Sequence, residues 1–456
     1  MKTKVALLGL SLAALACFFA ASLALADSQV RIVRLSQVEG AVQIDRNTGS
    51  GFERAFLNLP ITQGTKIQTL GDGHAEVEFE DGSTLRLAPQ SLVEFPELAL
   101  RDDGKKVSLI KIQEGTAYVD YVGGKSSDMT LSFGHETVPF AKSAHLRVQM
   151  RDTEATLAVF KGEVKAAGPA GTVEVSSKRS ANFNLAEGDQ FTLAKEITPV
   201  EFDAWDKQQG QYQKNYDARS SYAPYAYGVS DLNYYGSFFD YPGYGTLWRP
   251  YFASAAWDPF TNGGWYWYPG FGYTWVSGYP WGWMPYRYGA WTFVPGFGWA
   301  WQRGSVWSGW APIPRVVNAP RHFVMPRPPA TPGQTVVVNR GPVNGATGNG
   351  NKLMIRNDSA GMGIPRGKVS DLGRASFQAQ KTGVATPSVH SKVVRPSASV
   401  LTPSPGMRGG FQPHGMGASG MQPHGMGASG GMRSAGSPGR TGGGSRSSAP
   451  SSAPHR

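Results

Sequence analysis

The residues able to do acid, base or metal chemistry are few, and their spacing decides how each is read. Glu76, Glu78 and Glu80 alternate along one short segment, so a strand would place all three carboxylates on one face. Paired carboxylates can serve as acid and base or hold a cation, but a charged period-2 run is first of all the solvated face of a strand. His74, His135 and His145 are scattered among strand-like segments. His74 follows a Gly71-Asp-Gly73 turn and is read as a solvated polar residue. His414 and His424 stand ten residues apart in a Gly/Ser-rich region, a spacing that gives no metal site. The single cysteine, Cys17, lies in an apolar N-terminal run. The chain has no Gly-x-Ser-x-Gly elbow, His-Glu-x-x-His helix, phosphate loop or dinucleotide fingerprint. These observations predict a protein that is not an enzyme, with no cofactor and no metal site.

The other candidate chemistry is aromatic. Twelve of the 13 Trp fall between Trp248 and Trp310. Flat rings with polar tips suit sugar rings or peptides. If part of this segment forms a ligand surface, the residues to carry it are those lying between the repeated Trp positions: Tyr266, Tyr268, Tyr279, Tyr286, Arg287 and Tyr288. The competing reading makes the rings core, because the segment holds few aliphatic residues that could replace them.

The elements that must position these residues follow from composition along the chain. Lys2 and Lys4 precede an apolar run from Val5 to about Leu25, and Ala24-Leu25-Ala26 ends it. That pattern predicts a secretory signal peptide over residues 1–26 cleaved near Ala26, hence an extracytoplasmic protein, periplasmic or secreted. An uncleaved inner-membrane anchor is the alternative. Cleavage would leave the mature chain without cysteine. The net charge of +11 is unevenly spread. Residues 27–221 carry 22 Lys/Arg against 28 Asp/Glu, residues 222–310 three of each sign, and residues 311–456 carry 17 Lys/Arg against two Asp. The basic excess thus belongs to a tail poor in apolar residues, predicted to be disordered over 313–456. Such a tail attracts polyanions non-specifically through counterion release and implies no specific nucleic-acid site.

Residues 27–198 read as short alternating apolar runs broken by Gly turns, which predicts a mainly β domain, antiparallel or solenoid-like, rather than βαβ units. A hairpin around Asp81-Gly82-Ser83 would pair Phe79 with Leu85, Val77 with Leu87 and Glu78 with Arg86. Over residues 199–221, Phe202, Trp205, Gln209 and Tyr212 recur at helical spacing, predicting a short linking helix. Residues 222–312 contain a threefold repeat. Phe238–Trp248, Trp265–Trp275 and Trp291–Trp301 align at offsets of 27 and 26, each centred on Pro-Gly. Pro-Gly supplies a turn residue free to adopt positive φ, so each copy reads as a β-hairpin whose rings could be covered by its neighbours.

The run Gly64-Thr-Lys-Ile-Gln-Thr-Leu-Gly-Asp-Gly, followed by Asp81-Gly-Ser-Thr-Leu-Arg-Leu-Ala-Pro-Gln-Ser-Leu92, resembles the core of FecR-type domains. Phe160-Lys-Gly-Glu-Val164 and Leu185-Ala-Glu-Gly-Asp-Gln190 fit the same pattern. The resemblance implies an all-β extracytoplasmic module, which in founding members belongs to a regulator that relays an outer-membrane signal to a sigma factor. Two departures separate the chain from that role: no cytoplasmic segment precedes the apolar run, and Ala144-His145-Leu-Arg-Val stands where the family has an Arg-Gly-Thr step. The aromatic segment resembles a Trp/Tyr-rich domain of unknown function found beside such modules in secreted bacterial proteins. Together these readings predict a non-enzymatic envelope scaffold, with cell-wall polysaccharide or another envelope protein as partner. The alternatives are a signal-responsive regulator of another envelope protein and a carbohydrate- or wall-binding module.

Overall fold

The computed structural model describes residues 31–222, 225–304, 311–340, 344–347 and 351–389. The expected signal peptide, Cys17, His414 and His424 lie outside them. Alternating apolar residues build β1 (Val33–Glu39), β2 (Val42–Asp45), β3 (Glu53–Arg54), β4 (Pro60–Ile61), β5 (Lys66–Thr69) and β6 (His74–Glu78). Next come β7 (Thr84–Leu87), β8 (Ser91–Leu100), β9 (Lys106–Tyr121), β10 (Ser127–Phe133), β11 (Glu136–Pro139) and β12 (Ala144–Met150). The series closes with β13 (Glu154–Lys161), β14 (Glu163–Gly168), β15 (Gly171–Ser176), β16 (Arg179–Asn184) and β17 (Gln190–Ala194).

The 16-residue β9 belongs to two sheets. Its first half lies in the order β3-β2-β5-β8-β9-β10-β11-β14-β15, its second half in β17-β16-β13-β12-β9-β7-β6-β1-β4. All pairings are antiparallel except β9 with β10. The strand changes sheet at Gly115, whose φ is +84° and where a Cβ would meet Gln90 O at 2.2 Å, so only glycine fits. Val33, Val77, Leu85, Val119, Leu146 and Leu157 from the second sheet and Ile44, Ile67, Val93, Ile112 and Leu131 from the first share one buried core. The module is a mainly antiparallel β-sandwich, as the alternation predicts.

The β6–β7 register differs from expectation. Val77 pairs with Leu85, Glu76 with Arg86 and Ala75 with Leu87. The loop is Glu80-Asp81-Gly82, closed by the Phe79 N–H donating to Ser83 O at 2.9 Å. Gly82 has φ +83°. A three-residue hairpin loop needs its left-handed residue in third place, and centring the loop on glycine set the register one residue late on each strand.

Helix α1 (Asp203–Asn215) buries Trp205, Asp206, Gln209 and Tyr212, the face that the helical spacing marks. Helix α2 (Val229–Tyr235) precedes three hairpins: β18 (Gly236–Tyr241) with β19 (Gly245–Pro250), β20 (Asn262–Tyr268) with β21 (Gly272–Ser277), and β22 (Ala290–Val294) with β23 (Gly298–Gln302). Gly243, Gly270 and Gly296 all have φ between +77° and +90° behind a proline, as a type II turn requires. Hairpins one and three share a sheet through Trp248 and Trp301. They are joined there by β24 (Val316–Val317), parallel to β22. The second hairpin instead pairs β20 with β25 (Val336–Asn339), so the three copies do not form one continuous stack.

Disorder beginning at residue 313 is corrected for the described part of the tail. After β26 (Gly345–Ala346) come β27 (Leu353–Arg356), helix α3 (Leu372–Thr382) and β28 (Val384–Ala385), with β27 bonded to both short strands. Leu353, Ile355, Ile364, Leu372 and Ala379 enter the core that contains Trp248, Trp281 and Trp291. Apolar residues too sparse to form a core of their own are enough to complete one that aromatic rings have begun. The rest of the tail, residues 390–456, lies outside the described residues.

Candidate functional site

The outward face of the second sheet is charged, and it is buried. Glu76, Glu78 and Glu80 project from β6 and the loop after it on one side, as their spacing requires, but none is solvated: they are 0%, 3% and 3% exposed. Cross-strand pairing sets Arg34 against Glu78, Glu76 against Arg86, Arg86 against Tyr118 and Tyr118 against Arg147. Four further pieces of chain cover this row: α1, the loop into α2, α2 itself, and an arm around Arg366.

α1, α2 and the arm each bring a charge matched to the row, and the loop into α2 brings the Gly228 N–H, which donates to Glu78 at 3.0 Å. The first turn of α1 supplies Asp203 and Asp206, which also suit the positive end of a helix. Asp203 accepts from Arg147 Nη1 at 2.6 and 2.7 Å and from the Tyr118 hydroxyl at 3.0 Å. Asp206 accepts from Arg86 Nη1 at 2.8 Å, and His145 Nε2 lies 2.7 Å from it. Arg86 Nε donates to Glu76 at 2.7 Å. Asp231 of α2 lies 2.7 Å from Arg34. Arg34 also donates to Glu78 at 3.1 Å and to Pro280 O at 2.9 Å. The arm contributes Arg366, which donates twice to Asp231 at 3.0 Å, to Glu76 at 2.7 Å and to Ser36 O at 2.8 Å. Its guanidinium stands 5.1 Å from the Tyr212 ring centre. Arg31 binds Glu80 at 2.8 and 2.9 Å as a separate buried pair.

The electrostatics divide neighbouring carboxylates. Desolvation alone would raise Glu76, but the Arg366 and Arg86 charges overcome it and hold the group at about 2. Desolvation raises Glu78 to about 7, since Arg34 is shared with Asp231 and both Asp231 and Glu76 repel it. For Asp206, desolvation is outweighed by the bond to His145 and by Arg86, which keep it low.

The six aromatic-surface candidates are corrected: none forms a free surface. Tyr266, Tyr268, Tyr279, Tyr286, Arg287 and Tyr288 are all buried, at 4% exposure or less. Tyr266 and Tyr268 lie on the face of β20 that enters the sandwich core, whereas Trp265 on the opposite face enters the aromatic core. Arg46 stacks on both tyrosines and donates to Trp267 O at 2.6 Å. The phenols mostly bond to backbone or to one another: Tyr268 donates to Pro60 O, Tyr286 to Pro259 O, and Tyr288 pairs with Tyr227. Tyr279 accepts from Trp257 Nε1 and Asn262. Burial raises Tyr279 to about 12 and lowers Arg287 to about 10.

His74 is likewise not solvated. It is buried against the edge of Trp205, with Nε2 3.1 Å from Glu39. His135 remains exposed, bonded through Nδ1 to Asp189 at 2.8 Å. Among the described residues no group of three His, Cys, Asp or Glu is placed to hold a metal ion. A cleft of about 380 Å³ between the first hairpin and α3 is lined by Arg249, Tyr251, Phe297 and Phe377 among others, with no carboxylate or imidazole.

Sequence reasoning paired Arg86 with Glu78 where the structure sets it against Glu76, and it missed Arg34 and Arg366 as partners of the glutamates and Asp206 and Asp231 as further partners of the arginines. A usable signal is present. β1, β7 and β12 each carry an arginine, Arg34, Arg86 and Arg147, on the face where β6 has Glu76 and Glu78, and a helix bearing Trp205 and Tyr212 needs a sheet face on which to bury them. Arg366, 290 residues from Glu76, has no such signal.

Comparison with known proteins agrees with both resemblances. Residues 65–165 match the family model described as FecR protein, and residues 229–319 match a family of unknown function, DUF6600. Two solved structures, each a candidate anti-sigma factor from Parabacteroides distasonis, align with the chain. One is 18% identical, covering 31% of this chain and 63% of its own length, with a TM-score of 0.27. The other is 15% identical, covering 39% of this chain and 94% of its own, also with a TM-score of 0.27. No curated protein matches. No helix among the described residues is long and apolar enough to cross a membrane.

Proposed function

We propose that the protein is a non-enzymatic component of the cell envelope, working outside the cytoplasm as an interaction scaffold. In this reading the FecR-type sandwich meets its partner, another envelope protein, and the aromatic domain braces the sandwich from behind. The observation that carries it is the closure of the charged face. The glutamates and aspartates most able to act as acids or bases are committed to arginines and covered by α1, α2 and the Arg366 arm. A site for turnover needs such groups open to substrate. Here their chemistry is spent on fixing one domain against the other, which leaves the outer face of the first sheet as the accessible one. Lys165 and Glu174, paired across β14 and β15, are exposed there.

The FecR match supports a second reading, a regulator whose sandwich senses or relays the state of an envelope partner. The wall-binding alternative loses its footing, because the tyrosines on which it rests are interior. Photo-crosslinking probes at Lys165 and Glu174 in intact cells test the proposal. A discrete envelope-protein adduct is expected. No adduct from either position, with saturable binding of the purified protein to peptidoglycan, would overturn it in favour of wall binding.

A further inference from the structure

The cleft of about 380 Å³ between the first hairpin and α3 shares no lining residue with the charged row, and its walls follow from strand and helix periods. In the hairpin, Ser237 pairs with Arg249 and Phe238 with Trp248. Side chains alternate across a strand, so Trp248 enters the aromatic core while Ser237, Phe239 and Arg249 project from the opposite face and line the cleft. From the other side α3 presents Gly373, Ser376, Phe377 and Gln380, whose spacing places them on one face of the helix. Phe297, in the turn of the third hairpin, adds a further wall, its ring 5.2 Å from that of Phe239.

Arg249 is the charge in this cleft. Its Nη1 donates to Phe297 O at 2.9 Å and its Nη2 to Ser254 O at 2.6 Å, and the guanidinium carbon stands 4.3 Å from the Phe297 ring centre. These contacts hold the fork in place but bring no negative charge. Among the described residues Arg249 makes no ion pair, and its buried Nε has no acceptor. The two acids nearest the cleft are engaged elsewhere. Asp358 accepts from the Ser254 N–H at 2.7 Å, and Asp371 caps α3 by accepting from the Arg374 N–H at 2.8 Å. Burial accordingly lowers Arg249 below the ordinary arginine range, against the pull of Asp358.

We propose that this cleft binds a small organic carboxylate, its charged end on Arg249 and its apolar body against Phe239, Phe297 and Phe377. Each Nη keeps a second hydrogen beyond the one given to a carbonyl, so the fork can still donate to a carboxylate. The cleft volume falls within the range of small-ligand sites, about 300–1,000 Å³. Phe377, 59% exposed, offers an apolar surface for such a body to cover, and Lys381 Nζ, 4.2 Å from its ring centre, adds a second positive charge beside it. The same chemistry occurs on free acids and at the C-terminus of a peptide ending in an apolar residue. The site is independent of the scaffold reading and gives the aromatic domain a ligand of its own.

Calorimetric titration of the full chain with 4-phenylbutyrate, neutral 4-phenylbutanol and N-acetylglycylphenylalanine tests this. Saturable binding of 4-phenylbutyrate is expected, with the alcohol weaker by roughly tenfold or more, because a charge-assisted bond is lost. The peptide acid separates the two sources: binding of both acids assigns the cleft to chain ends as well, and binding of 4-phenylbutyrate alone restricts it to free acids. Arg249→Met should weaken acid binding by roughly tenfold or more, and Phe377→Ala should weaken it several-fold. The exposed position of Phe377 keeps the second variant folded even if loss of the Arg249 contacts unfolds the first. No saturable binding of either acid, equal binding of acid and alcohol, or an affinity unchanged in Phe377→Ala would overturn the proposal.

Discussion

At the scale of single residues, the charged row explains why three alternating glutamates can sit inside a protein. Each is paired, and around Glu76 and Glu78 the pairs overlap, so removing one of those cations leaves more than one anion without a partner in an apolar surrounding. Arg86 is the clearest case. It is fully buried between Glu76 and Asp206, and its neighbours hold it well above the ordinary arginine range although burial opposes them. Arg86→Met keeps much of the volume and strands both carboxylates. It should destabilise the fold by roughly 3–5 kcal/mol at neutral pH, measured by denaturant unfolding. The loss should shrink as pH falls through the ordinary carboxylate range, where the stranded groups take up protons. A loss below about 1 kcal/mol would mean that the row is solvated and not sealed.

At the scale of elements, the hairpins were the most legible feature of the sequence. Pro-Gly at three places spaced 27 and 26 residues apart marks three turns, and Gly243, Gly270 and Gly296 adopt the positive φ those turns demand. The linking helix was legible for a similar reason, since Trp205, Gln209 and Tyr212 repeat at its period. Exposure was not legible. Alternation assigns Glu76 and Glu78 to one face and Tyr266 and Tyr268 to another, but it cannot say that α1 will cover the first or the sandwich core the second. Those are contacts between residues far apart in sequence, and periodicity contains no long-range term. The arm was missed because Leu353 and Ile355 alternate over one short strand only and Ile364 stands alone, with a distant aromatic core to fill. Two glycines of the repeat separate turn geometry from packing. At Gly296 nothing stands within 4 Å of an added methyl, whereas at Gly289 that methyl would meet Gln302 O at 2.2 Å. Gly296→Ala should cost about 1–2 kcal/mol from backbone strain alone. Gly289→Ala should cost clearly more, because strand β23 must also move. Thermal unfolding of the two variants checks the order, and equal losses would refute it.

At the scale of the whole molecule, the sandwich and the aromatic domain share their boundary so fully that they behave as one body. Tyr266 and Tyr268 belong to the sandwich core, Asn58 donates to Ser277 O and Tyr279 O, Arg46 reaches Trp267 O, and Arg366 ties the arm to both. The side chains that could have formed an open site are used instead to make this joint, and a scaffold role rests on it. The most direct test is the cooperativity of unfolding of the full chain. Trp fluorescence reports the aromatic domain, and exchange at the amides of Val119, Leu146 and Val148 reports the sandwich. A shared joint predicts a single transition seen identically by both probes, shifted to lower denaturant for both by Arg86→Met. Two separate transitions, with only the sandwich responding to that substitution, would contradict it.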